Sequence, residues 1–183
     1  MTIGNLIRAV PQPLVPYGIF KGPWGPIERQ LGGPLPQDYK DFVQLYGRGY
    51  FLQFMGIDVP ASLNPHMRLE RKAGIVSRSF ANYDDLPYPM WPQPGGLLSF
   101  GGTDNGDYLF WLPRAQPQGW AVVVWDGVPD SWEVFDCDMT DFLAGLATGG
   151  ILPKEFPDDL LPCTKLFQPS SAKGDPRDKD LLD

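Results

Sequence analysis

Between Pro23 and Gly47 the apolar positions recur at helical spacing. Trp24, Ile27 and Leu31 fall at i, i+3 and i+7, and Tyr39, Phe42, Val43 and Tyr46 at i, i+3, i+4 and i+7. This spacing predicts a first short helix over 23–31, stopped by Gly32-Gly33. It predicts a second opening at Pro36, with Asp38 near its positive end and Gly47 as its stop. A third helix is predicted from the Asn64-Pro65 pair over 67–72, with Gly74 as an interruption. The pattern then becomes that of strands: 97–100, 108–111, 120–125 and 132–135 are short apolar or aromatic runs separated by turn residues, and 50–55 reads as an additional strand. Asn105-Gly106 supplies a left-handed turn between the first two runs. A last helix follows Asp138, with Asp138 and Asp141 placed as a capping box and Met139, Phe142, Leu143 and Leu146 on one face. Helices before and after a meander of strands predict an α+β single domain. Its sheet is largely antiparallel or mixed and packs against helices.

Composition narrows this picture. Glycine and proline each supply 21 of the 183 residues, roughly twice their usual joint share, so long helices are excluded. With 6 Trp, 7 Tyr and 11 Phe, wholesale disorder is excluded as well. Pro11, Pro13, Pro16 and Pro23 mark residues 1–23 as an N-terminal arm, 24–168 as the compact domain and 169–183 as a charged, flexible tail. The net charge of -7 and the lack of a basic run argue against nucleic acid. No apolar run approaches a membrane span. Two cysteines without a leader pattern fit a reducing cytoplasm.

Chemistry-bearing motifs are sparse. His66 is the only histidine and, with Cys137 and Cys163, falls short of a zinc ligand set. Asp104, Asn105 and Asp107 lack the spacing of a calcium loop. Asp84-Asp85 and Asp158-Asp159 are adjacent acids in loops, and neither pair is placed across a cleft by the sequence. Trp111, Trp120, Trp125 and Trp132 lie in or beside consecutive strands. They either fill the core or form a partner surface, for which Trp and Tyr are favoured. The second reading selects Asp104, Asp107, Trp111, Trp125, Asp126, Asp130, Trp132 and Glu133 as partner-binding residues, aromatic at the centre and acidic at the rim.

The ordered segments Trp24-Gly25-Pro26-Ile27-Glu28, Leu35-Pro36-Gln37-Asp38-Tyr39-Lys40-Asp41-Phe42, Tyr46-Gly47-Arg48-Gly49, Gly95-Gly96-Leu97-Leu98-Ser99-Phe100-Gly101, Asn105-Gly106-Asp107, Phe110-Trp111, Val122-Val123-Val124-Trp125 and Asp141-Phe142-Leu143 resemble the SMI1/KNR4 (SUKH) superfamily over roughly 24–147. The resemblance implies an α+β fold, no enzymatic activity and no cofactor. It also implies a role like that of bacterial immunity proteins, which bind and neutralise toxins, so the partner implied is a protein; the acidic charge balance is compatible with a basic toxin domain. An adaptor or regulatory module, as in fungal relatives, is the alternative. A small hydrolase using Cys137, Cys163 or His66 ranks third. The chain departs from a minimal member in its arm, in Pro87-Tyr88-Pro89-Met90-Trp91-Pro92 and in 152–169, which carry partner specificity or cover the sheet.

Overall fold

The computed structural model describes residues 3–62, 65–115, 119–127 and 131–170. In chain order the elements are α1 (Gly4–Ala9), α2 (Trp24–Leu31), α3 (Gln37–Leu45), β1 (Gly49–Phe51), β2 (Met55–Ile57), α4 (Leu69–Ser79), β3 (Leu98–Thr103), β4 (Tyr108–Leu112), β5 (Ala121–Trp125), β6 (Trp132–Phe135), α5 (Met139–Thr148) and β7 (Phe167–Pro169). Short 3-10 turns at Pro65–Met67 and Phe80–Asn82 flank α4. The strands form one sheet in the order β6-β5-β4-β3-β2-β1-β7. Every neighbouring pair is antiparallel, which decides between the antiparallel and mixed readings and bears out the α+β class.

Strand side chains alternate between two cores, as the period of two requires. On β4 and β5, Leu109, Trp111, Val122 and Val124 enter a first core with α1, α2, α3 and α5. Phe110, Val123 and Trp125 enter a second core with Val76, Phe80, Met90 and Leu97. The register between β3 and β4 shifts between Ser99 and Gly101, leaving Phe100 as the unmatched residue of a β-bulge. Its ring joins the first core, stacked on Trp111 with centroids 4.7 Å apart.

Two predicted elements change shape. The 50–55 strand is two strands, β1 and β2, joined by a turn in which Leu52 and Gln53 both take φ of 53°. The third helix does not stop at Gly74 but runs on to Ser79. α1 and β7 add elements in segments expected to be irregular. Leu6 and Val10 are fully buried, so this part of the arm belongs to the core. Gly47 ends α3 as predicted, at φ +67°, and a Cβ there would stand 2.2 Å from the Tyr17 carbonyl oxygen. Glycine is thus required both by conformation and by the arm's close approach.

Buried polar joints tie the layers together. The Tyr39 hydroxyl donates to the Asp58 carbonyl at 2.7 Å, fixing α3 to the segment after β2. The Asp58 carboxylate, fully buried, accepts from Lys72 Nζ of α4 at 3.2 Å. Burial pushes its pKa up, while the charges of Lys72 and Arg48 pull against that shift. Asp38 reaches across to another helix. Its Oδ2 accepts from the Thr140 N–H at 3.0 Å, and Asp138 Oδ1 accepts from the Asp141 N–H at 2.9 Å. Two carboxylates therefore serve the otherwise unpaired N–H groups of α5. The capping box is only half formed: the Asp141 carboxylate accepts instead from Asn5 of α1 at 2.7 Å.

Burial, with the nearby Asp138 charge adding to it, pushes the Asp38 carboxyl up to about 6 against the Thr140 hydrogen bond. The folded chain then holds a proton that the unfolded chain, with its ordinary carboxyl near 3.8, has released. The stability this proton confers is present below 3.8 and lost as pH rises through 6. Asp38→Asn should therefore gain on the native chain by about 2–3 kcal/mol between pH 4 and pH 7. Urea unfolding at several pH values measures this, and a difference constant with pH would refute it.

Candidate functional site

The second face of the sheet has the thinner cover. The first is roofed by α1, α2, α3 and α5 with the start of α4, whereas the second has the last turn of α4, the 3-10 turn at Phe80–Asn82 and the 83–97 loop. Met90 lies 6% exposed beneath that loop, and the Trp91 indole N–H donates to the Leu31 carbonyl at 2.9 Å. The Pro87–Pro92 insertion thus covers the sheet. Its short reach leaves a continuous aromatic cluster half open where β4 begins and β5 ends. Phe80 packs on Trp125 with centroids 4.8 Å apart, Tyr108 stacks on Trp125 at 5.7 Å and Trp132 lies 6.1 Å from Trp125. Tyr88 meets Trp132 at 6.4 Å, and Tyr83, 37% exposed, meets Phe80 at 5.3 Å. A groove of about 340 Å3 runs between the 3-10 turn and the loop, walled by Phe80, Tyr83, Leu86, Tyr88 and Met90.

The proposed partner-binding residues divide around this geometry. Trp125 and Trp132 share the open aromatic face. Asp104, Asp107 and Asp126 stand at the same end of the sheet, because the β3–β4 turn and the end of β5 are neighbours through the Tyr108–Trp125 pair. Asp104 is exposed, with its N–H donating to the Phe54 carbonyl. Asp126 accepts from the Ser131 hydroxyl. Asp107 is 4% exposed and accepts from Thr103 Oγ1 at 2.5 Å. Burial pushes its pKa up against that hydrogen bond, and the Asp126 charge adds to the rise. The turn holding these acids places only Gly106 in the left-handed region, at φ 96°, as in a three-residue hairpin loop.

Trp111 lies elsewhere. It is fully buried in the first core, edge-on to Tyr39 at 4.8 Å, so its ring is structural and out of a partner's reach. Glu133 points away from Trp132 and accepts from the Lys154 N–H at 3.0 Å. Asp130 falls outside the described residues. The residues that sequence reasoning missed are Tyr83, Tyr88 and Tyr108, with exposed Asp84 and Asp85 beside them. Asp84-Asp85 reads from sequence as a pair of surface acids in a loop, and the structure agrees in leaving both exposed.

The hydrolase candidates sit in separate elements: His66 in the turn before α4, Cys137 between β6 and α5, and Cys163 ahead of β7. Burial pushes the Cys137 thiol up to about 11, and Asp138, Asp141 and Asp136 add to the rise. A nucleophilic thiol needs the opposite surroundings. Among the described residues, no three His, Cys, Asp or Glu side chains gather into a metal-holding group, and no helix is long and apolar enough to cross a membrane.

Charge is strongly segregated. Residues 79–153 hold ten acidic side chains against one basic, Arg114, while the rest of the chain holds fourteen basic against twelve acidic. Arg114 is itself paired with Asp136. The strands β3–β6, the aromatic groove and α5 thus make up an acidic half on a nearly neutral remainder.

Comparison with known proteins places a family profile described as SMI1-KNR4 cell-wall over residues 24–143. No curated protein and no solved structure matches the chain.

The two tryptophan environments separate on mutation. Trp111→Ala should cost about 3–5 kcal/mol of stability. Trp132→Ala, at a half-exposed site, should cost less than about half of that. Chemical denaturation of both variants checks this, and equal losses would contradict the division into core and surface.

Proposed function

The chain belongs to the SMI1/KNR4 (SUKH) family, and on that premise we propose that it is a non-enzymatic protein-binding domain, an immunity protein that neutralises a bacterial toxin by direct contact in the cytoplasm. The observation that carries this reading is the acid-rimmed aromatic surface at the β4–β5 end of the sheet. Half-buried Trp and Tyr rings present large rigid contact area at little entropic cost. Surrounding carboxylates speed encounter with a cationic partner and disfavour anionic ones. Neutralisation then proceeds by occlusion: the acidic half covers the basic, substrate-binding face of the toxin, and no bond is made or broken. The raised Cys137 thiol weighs against the hydrolase alternative.

A partner captured from the native cell under mild salt should prove to be a toxin whose activity falls in proportion to added chain and vanishes at equimolar ratio. A captured partner without toxic activity would transfer the assignment to the adaptor reading, to which the family description "cell-wall" also belongs. Substrate turnover by the chain alone would overturn both.

A further inference from the structure

The groove between Phe80–Asn82 and the 83–93 loop combines features that together define its occupant. Its walls are aromatic and partly open: Tyr83 is 37% exposed and Tyr88 half buried, and half-buried Trp132 packs behind Tyr88 with ring centroids 6.4 Å apart. Asp84 and Asp85 are exposed and lie in the chain between Tyr83 and Leu86, two of the residues that wall the groove. The chain supplies no lysine or arginine between residues 79 and 113; the nearest basic residue in sequence is Arg78 at the end of α4. Deeper in the cluster, Trp125 is 7% exposed and keeps an indole N–H that no atom among the described residues accepts. An anionic or purely apolar occupant would leave the Asp84 and Asp85 carboxylates uncompensated. A cationic side chain satisfies both surfaces at once, its charge over the ring faces and beside the carboxylates and its aliphatic stem on the apolar wall.

We propose that this groove is the docking site for an arginine- or lysine-bearing segment of a partner protein, with Tyr83, Tyr88 and Trp132 as the contact rings and Asp84 and Asp85 as the charge partners. The proposal rests on the protein-binding reading above and gives it a site and a partner chemistry. It keeps Trp132 from the surface expected from sequence and replaces the acidic rim of the β3–β4 turn with Asp84 and Asp85 of the 83–93 loop.

The test uses the full chain and two synthetic peptides, an alternating Gly-Arg octamer and its Gly-Glu counterpart, followed by tryptophan fluorescence and indole NMR resonances. The Gly-Arg peptide should bind saturably, shift the Trp125 and Trp132 indole signals but not that of Trp111, and weaken as salt rises. Asp84→Lys with Asp85→Lys should reduce affinity about tenfold or more, as should Tyr83→Ala with Tyr88→Ala. Tyr83→Phe, which keeps the ring and protects against misreading a folding defect, should bind within about twofold of the native chain. Asp158→Lys with Asp159→Lys makes the same charge change on exposed residues leading to β7 and should also leave binding within about twofold. Equal loss in that control, equal binding of the Gly-Glu peptide, or no binding of either peptide overturns the proposal. The two readings fail separately. Toxin neutralisation that survives Asp84→Lys with Asp85→Lys removes the site but not the function. Peptide binding in the groove without any toxin partner removes the function but not the site.

Discussion

The strands β4 and β5 are buried on both faces, and the placement of the other elements follows from that. An antiparallel sheet commonly leaves one face wet. Here Tyr108–Leu112 and Ala121–Trp125 are apolar or aromatic at every position, so each face must be roofed. Burying each such side chain contributes about 1.5–3 kcal/mol, far more than any surface ion pair in the structure can supply. α3 and α5 roof one face with Tyr39, Phe42, Phe142 and Leu143. The other is left to the end of α4 and a proline-rich loop, and the narrowness of that cover makes the aromatic groove. The candidate site is a consequence of how the core is closed, on the side where closure is incomplete.

Buried carboxylates hold the roof in register. Asp58 links α3, α4 and the sheet through its carbonyl and its carboxylate, and Asp38 links the start of α3 to the start of α5. Asp58 Oδ1 accepts from Lys72 and Asp38 Oδ2 from the Thr140 N–H, so both carboxylates act as joints between elements. Asp84, Asp85 and Asp104 are exposed instead, the first two next to Tyr83 in the chain and the third in the β3–β4 turn. Carboxylates that join elements and carboxylates open to solvent thus differ in burial, a distinction that net charge alone does not contain.

Much of the architecture was legible from residue pattern. The strands at 108–112, 121–125 and 132–135 and the helices at 24–31, 37–45 and 139–148 follow from local spacing and turn chemistry, and the ordered motifs carried the family. What pattern could not give was phase. Trp111 and Trp132 read alike in sequence, yet strand pairing turns one into the first core and the other toward the open face. α1 and β7, at six and three residues, are too short for periodicity to register, and both are held by tertiary contact. The β1–β2 turn was missed because Leu52 and Gln53 carry no left-handed signature. Tyr83 comes beside Trp125, ring centroids 6.1 Å apart, only through the fold, the two being about forty residues apart in the chain.

Native-state hydrogen exchange across a denaturant series tests most directly whether the doubly covered strand pair is the foundation and the groove its loosely closed edge. Amides of β4 and β5 should exchange only through global unfolding, with free energies equal to the whole-molecule value and falling steeply with denaturant. Amides of residues 83–89 should exchange through small local openings of much lower energy and little denaturant dependence. Exchange of the 83–89 loop only with global unfolding, or local opening of β4 and β5 ahead of it, would contradict the account.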